Sequence, residues 1–212
     1  MFKTLRLSRY HYLLCCTAFS MLLLLARMYH TNTLEYRFMA INLFLAWIPY
    51  GVAKLMQNIP IGKWRPLIIV LAFVWLIFFP NAPYMITDIF HLSEFDAMPK
   101  WYDLIMLLSF SWTGLLLGFF SLRKVLHRIN AGNNFPQMIV SFIIFFLCGA
   151  GIYLGRYERW NSWEIITQPR ILISDFLGLL AQDAVMFQMA TLSFVFATFF
   201  TMIFYFVPEE TT

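Results

Sequence analysis

The sequence predicts an all-α integral membrane protein, a single domain over residues 1–212 that forms a bundle of about six transmembrane helices. Composition is the first observation behind this prediction. Of 212 residues, 61% are hydrophobic and only 12% are charged, whereas charged residues make up about a quarter of a soluble chain. Because so few polar residues cannot cover a soluble domain, we expect the lipid bilayer to be the main partner of the chain.

The length of the apolar runs is the second observation. Six runs are long enough to cross about 30 Å of hydrocarbon at about 1.5 Å per residue. Pro66, Pro99 and Pro136 stand at or just before helix starts, where a missing N–H costs little. Pro169 begins a short amphipathic stretch within residues 167–183, which predicts an interfacial helix before the last span. The predicted spans are residues 10–29, 38–56, 67–89, 101–122, 136–155 and 184–207.

The third span is predicted to be broken or kinked near Pro80–Pro83. Its clean apolar run, residues 67–80, gives roughly 21 Å of helix, which is shorter than the bilayer core. Pro80 and Pro83 remove backbone donors and disfavour helix in the residue before each of them. Irregular backbone at that depth is tolerated where protein or a wet cavity satisfies it. The alternative is a proline-kinked helix end with Asn81 capping the next turn.

The distribution of basic residues predicts the orientation. Nine of the fifteen Lys and Arg residues fall in the N-terminal segment, the second loop and the fourth loop, against six on the other side. Since basic residues favour the cytoplasmic side, we expect both termini in the cytoplasm. No basic aromatic patch suggests a nucleic-acid partner.

Polar residues follow the predicted break in the third span. Tyr84, Asp88 and His91 recur at helical spacing, which places them on one face together with Asn81 nearby. A carboxylate next to an imidazole can act as a general acid and base, or the pair can share a metal ion with Glu94. Asp88 and His91 are therefore the candidate catalytic residues. The alternative is a solvated helix edge at the membrane surface.

A second polar cluster begins where the fifth predicted span ends. Arginine suits phosphate or carboxylate, and neighbouring aromatic rings can stack on it. The cluster equally fits an aromatic and basic belt that anchors the helix end. If the two clusters form one site, Arg156 or Arg159 should lie next to Asp88, and Asp103 is expected to join the same patch. The candidate ligand-binding residues are Asn81, Tyr84, Arg156, Arg159, Trp160, Asn161 and Trp163.

Two G-x-x-x-G pairs, Gly114 with Gly118 and Gly151 with Gly155, allow close backbone approach. If both glycine faces meet, they would hold the fourth and fifth spans together.

The two polar motifs together resemble a known family. They read Pro80-Asn81-Ala82-Pro83-Tyr84 with Thr87-Asp88 and His91-Leu92, and later Gly155-Arg156 with Arg159-Trp160-Asn161-Ser162-Trp163. In this order and spacing the chain resembles a bacterial family of small multi-pass membrane proteins, domain of unknown function 1361. The resemblance implies a bacterial plasma-membrane protein. It implies no activity, substrate or cofactor.

Three functions are compatible with these patterns. The first is an outward-facing polar pocket that binds or modifies an anionic envelope molecule, such as a lipid headgroup. The second is a small transporter or channel subunit, and the third is a non-catalytic membrane scaffold. The sequence carries no catalytic or cofactor fingerprint, so the enzyme class, the cofactors and the oligomeric state stay open.

Overall fold

The computed structural model describes residues 8–129, 134–160 and 164–207, which form helices joined by turns. Six helical segments are long and apolar enough to cross a membrane, as predicted. The all-α membrane fold is thus confirmed. In chain order the elements are α1 Arg9–Thr31, α2 Arg37–Asn58, α3 Ile61–Phe78, α4 Asn81–Tyr84, a 3₁₀ helix Met85–Ser93, α5 Lys100–Ile129, α6 Asn134–Tyr157, α7 Glu164–Thr167, α8 Pro169–Leu180 and α9 Asp183–Phe206.

The third span bends where the prolines predict it. The Phe79 N–H still donates to Trp75 O at 2.8 Å, but the Ala82 N–H donates to Phe79 O at 3.2 Å, which is the tighter i to i+3 pattern. Pro80 and Pro83 have no N–H to continue an α-helix. The chain then runs as a 3₁₀ helix over nine residues, Met85–Ser93, where a regular α-helix was expected. A 3₁₀ run longer than about four residues is uncommon.

α5 is the central helix of the bundle. In the apolar stretch of α5, 72% of the residues are buried, against 22% in that of α1 and 28% in that of α9. One apolar cluster joins α1 and α2 to one side of α5 through Leu13, Met39 and Phe110. A second cluster joins α3, α6 and α9 to the other side through Trp75 and Phe145.

Both G-x-x-x-G pairs pack against the bent third span and not against each other, which corrects the expectation from sequence. A Cβ added to Gly114 would lie 2.7 Å from Ala82 O, and one added to Gly151 would lie 3.0 Å from Pro80 Cγ. Gly118 and Gly155 likewise approach Ala82 and Tyr84. The glycines therefore let the bent segment around α4 fit between α5 and α6.

The contacts at the two ends of the bundle show that α1 runs opposite to α2 and α5, which share one direction. At one end, Lys54 lies over the Tyr10 ring at 4.8 Å, and Lys124 Nζ donates to Gln57 Oε1 at 3.0 Å. The opposite end carries the end of α1, the start of α2, the 3₁₀ helix, the start of α5 and the end of α6. We call it the site end, because the described residues of both predicted polar motifs lie there.

The short helix predicted before the last span is present as α8. Its Ile171, Ile173 and Leu177 side chains are exposed, whereas Leu172 and Phe176 are half-buried. Exposed apolar side chains on a short helix beside a spanning helix are typical of an interfacial helix.

Candidate functional site

Asp88 is a buried carboxylate at the site end. It lies near the start of the 3₁₀ helix, and its side chain is 1% exposed. Asn42 of α2 donates from Nδ2 to Asp88 Oδ2 at 2.9 Å, and Arg156 Nη1 lies 3.6 Å from Asp88 Oδ1. The carboxylate is thus held by one amide and faces a guanidinium at a distance longer than the roughly 2.7–2.9 Å of a tight charge-assisted bond.

Arg156 connects the two sequence motifs. It stands in the last turn of α6, where a cation is favoured by the helix dipole. Its Nη2 donates to Thr87 O at 2.6 Å, and its Nη1 contacts His91 Nε2 at 2.9 Å and Tyr84 Oη at 3.4 Å. The guanidinium also lies 5.5 Å from the centre of the Phe90 ring. Most partners of Arg156 are therefore neutral groups.

The contact with Arg156 determines which ring nitrogen of His91 accepts a hydrogen bond. A guanidinium can only donate, so His91 Nε2 is the acceptor and the ring proton lies on Nδ1. Nδ1 is 2.7 Å from Glu94 Oε1, although the N–H does not point along the line to that oxygen. Tyr36 Oη donates to the His91 backbone carbonyl at 2.9 Å. His91 is thereby held between a guanidinium and a carboxylate.

A polar cavity of about 220 Å³ lies beside these groups. It is smaller than the roughly 300–1,000 Å³ of pockets for drug-sized ligands, so it suits a small polar group. We call it the polar cavity. Its described lining residues are Phe38, Asn42, Leu45, Pro80, Asn81, Tyr84, Asp88, His91, Gly151, Gly155 and Trp160.

The end of α6 turns Trp160 back towards this cavity. The Trp160 N–H donates to Leu154 O at 3.1 Å, and Arg159 has a φ of 60°. A left-handed residue just after a helix end is usually glycine. An exposed arginine occupies that position here.

A second arginine cluster lies at the same end of the bundle. Arg27 is fully buried, and its Nε and Nη2 donate to the two carboxylate oxygens of Asp103 at 2.7 and 3.2 Å. Its Nη1 donates to Glu35 Oε2 at 2.9 Å, and its guanidinium lies 4.6 Å from the centre of the Tyr36 ring. Burial raises the pKa of Tyr36 to about 12, so Tyr36 stays a phenol that can donate to His91 O.

The structure brings together part of the predicted site. Tyr84, Asp88 and His91 each contact Arg156, and Asn81 and Trp160 line the same cavity. Among the described residues, no hydrogen bond or ion pair joins Arg159 to Asp88. Asp103 pairs with Arg27 and does not join the patch around Asp88, contrary to expectation. Asn161 and Trp163 lie outside the described residues.

Metal binding finds no support in this geometry. Within residues 8–129, 134–160 and 164–207, no three His, Cys, Asp or Glu side chains converge as metal ligands would.

Sequence reasoning missed the contribution of α2. Phe38, Asn42 and Leu45 all line the cavity, and their spacing of four and three residues places them on one helix face. An amide inside an otherwise apolar span was the available signal, since polar groups in such spans seek partners within the bundle.

The fold and the cavity together define the class of protein, a multi-pass helical membrane protein with a polar cavity at one end of its bundle. The chain belongs to the family described as protein of unknown function (DUF1361), whose family model matches residues 41–204. No curated protein and no solved structure matches the chain.

Proposed function

We propose that this protein binds the polar part of an anionic envelope molecule, such as a lipid headgroup, in the polar cavity. The observation that carries the proposal is the loosely joined pair of the buried Asp88 and the half-buried Arg156, 3.6 Å apart beside a cavity. Ionisable residues within membrane-spanning segments are costly and usually serve a function.

Arg156 would hold the anionic group of the ligand. Its present partners are a carbonyl, an imidazole, a phenol and one distant carboxylate, so an anion close to the guanidinium offers a stronger interaction than any of them. Tyr84 and Asn81 line the cavity and would add hydrogen bonds. Trp160 would stack on the bound group, and the exposed Arg159 beside it would attract anions to this end of the bundle.

Asp88 and His91 would supply proton transfer if the bound group is modified. His91 Nε2 accepts a hydrogen bond from Arg156 at 2.9 Å. When a ligand anion draws Arg156 away, that nitrogen is left open to accept a proton, next to a carboxylate. Such a pair can accept and return a proton during hydrolysis or group transfer.

Neither alternative gains a supporting observation. A transporter or channel subunit needs a polar path through the bundle, whereas Phe79, Phe110 and Phe145 fill the described interior. A scaffold needs no polar cavity, and it predicts that Asp88→Asn and Arg156→Gln leave function intact.

The orientation is part of the proposal. With both termini in the cytoplasm, the site end and its cavity face away from the cytoplasm, where envelope molecules are found. Reporter fusions after Lys63 should report cytoplasm, and fusions at the exposed Asp96 should report the exterior. Fusions at both positions on one side of the membrane would remove the alternating model.

The proposed function is tested by the lipids and metabolites that stay with the purified protein. We expect native mass spectrometry to show a bound anionic molecule that is lost in Arg156→Gln, whereas Asp88→Asn removes a like charge beside the anion and should retain it. Arg170→Gln and Asp175→Asn, which change the same residue types at exposed positions of α8, should retain it. Equal retention in all four variants would refute the proposal.

A further inference from the structure

We infer that the group bound in the polar cavity is zwitterionic, with a primary ammonium against Asp88 and a phosphate or carboxylate against Arg156. This inference rests on the proposed function and names the chemical class of its ligand.

The charge of the lining is the first reason. Asp88 is the only carboxylate among the described lining residues, and none of them is a lysine or arginine. Arg156 contacts Tyr84, His91 and Asp88 from beside the cavity. A ligand that carried only negative charge would face the Asp88 carboxylate in a medium of low dielectric, where like charges repel strongly. A ligand that also carries a cation turns that repulsion into attraction.

The geometry of the existing pair is the second reason. Asp88 Oδ1 and Arg156 Nη1 are 3.6 Å apart, whereas Arg27 Nε and Asp103 Oδ1 are 2.7 Å apart at the same end of the bundle. A zwitterion with a short spacer between its charges can replace the one loose pair by two close pairs. No buried charge is then left without a partner, which is the condition for stable burial of ions.

The neutral groups around Asp88 favour a primary ammonium. A carboxylate cannot donate, so Asn42 must present Nδ2 to Asp88, and this leaves its amide oxygen as the acceptor for a ligand. Phe38, Tyr84 and Trp160 add ring faces that attract cations. A cavity of about 220 Å³ has room for an aminoalkyl phosphate and too little for a whole lipid.

Two sources carry this chemistry, a phosphatidylethanolamine headgroup and a soluble phosphoethanolamine. The test uses the full chain, delipidated in detergent and mixed with phosphatidylethanolamine, phosphatidylglycerol or N-acetylated phosphatidylethanolamine of matched acyl chains. Native mass spectrometry measures the occupancy of each. We expect phosphatidylethanolamine to bind at least about tenfold more tightly than the two lipids without an ammonium, as for one charged hydrogen bond. Competition by free phosphoethanolamine at similar concentration would identify the soluble source, and its failure would identify the lipid.

Variants show which residue causes the preference for a lipid with an ammonium. Asp88→Asn keeps an acceptor for Asn42 and should abolish the preference for the amine, while Asp175→Asn on α8 should preserve it. Even if Asp88→Asn does not fold, the comparison of lipids on the unaltered protein shows whether an ammonium is required for binding. Preferred binding of phosphatidylglycerol, dependent on Arg156, would overturn the zwitterion and leave the proposed function standing. If every lipid bound equally well and Arg156→Gln left this binding unchanged, both the zwitterionic ligand and the proposed function would be overturned.

Discussion

Two arginines at the same end of the bundle have opposite surroundings. Arg27 is completely buried, and two carboxylates, Asp103 and Glu35, bind three of its nitrogens at 2.7 to 3.2 Å. Arg156 is 17% exposed, contacts mostly neutral groups, and lies 3.6 Å from Asp88 beside a cavity.

The difference separates a structural ion cluster from a candidate binding site. The guanidinium of Arg27 has no room and little capacity for a ligand, because its fork is already matched by carboxylates. The guanidinium of Arg156 keeps a charge that its neighbours do not neutralise closely.

Arg27→Met should have the largest effect on stability. It leaves Asp103 fully buried without its partner, and breaking a buried ion pair in this way costs about 3–5 kcal/mol. The free energy of unfolding in detergent measures the loss, with the exposed Arg37→Met as matched control. Adding Asp103→Leu to Arg27→Met should recover much of the stability. A loss below about 1 kcal/mol in Arg27→Met would contradict the structural role of this cluster.

Gly114→Ala should have the second-largest effect on stability. It should disturb the segment that leads to Asp88 and contacts Arg156. Its new Cβ would lie 2.7 Å from both Ala82 O and Met85 Sδ, so α4 and the start of the 3₁₀ helix must shift. Overpacking of this kind costs about 1–3 kcal/mol, and we expect ligand retention to fall with it. Gly178→Ala, where a Cβ meets nothing within 4 Å, should be neutral or slightly stabilising. Undiminished stability in Gly114→Ala would mean that this close packing is not required.

Arg156→Gln should cost less stability than Arg27→Met, about 1–2 kcal/mol, because Asp88 keeps its hydrogen bond from Asn42 and borders a cavity that can hold water. Its main effect should be loss of the bound ligand. Parallel unfolding and mass-spectrometry measurements on both variants test the contrast. If Arg156→Gln were as destabilising as Arg27→Met, Arg156 would also be a structural ion and the comparison would fail.

Tyr36→Phe should have the smallest effect. Tyr36 touches both clusters, since its ring packs on Arg27 and its hydroxyl donates to His91 O. Losing that hydrogen bond should cost about 1 kcal/mol and leave ligand affinity nearly unchanged. The exposed Tyr29→Phe is the control in the same unfolding and binding assays. A fall in affinity of tenfold or more would show that the two clusters work as one unit.

Part of the candidate site could be predicted from the chain alone. Spacing placed Tyr84, Asp88 and His91 on one face, and the charge at the end of the fifth span indicated Arg156 as a partner. The prolines predicted the bend, but not that a 3₁₀ helix follows it, because a missing backbone donor shows where an α-helix is interrupted and not which helix continues after it. Asn42 was missed because one amide within an apolar span does not reveal which neighbour it meets.

The membrane class, the number of spans and the position of the bend follow from the sequence, because each depends on forces within one segment. Apolar length must match the bilayer, and a proline lacks its donor wherever it stands. Which charges meet was decided by tertiary structure. Asp103 lies 76 residues from Arg27, and its choice of Arg27 over Arg156 depends on how closely α1 and the bent third span approach α5. The burial of an ion requires a partner, but only the packing of the helices determines which one is within reach.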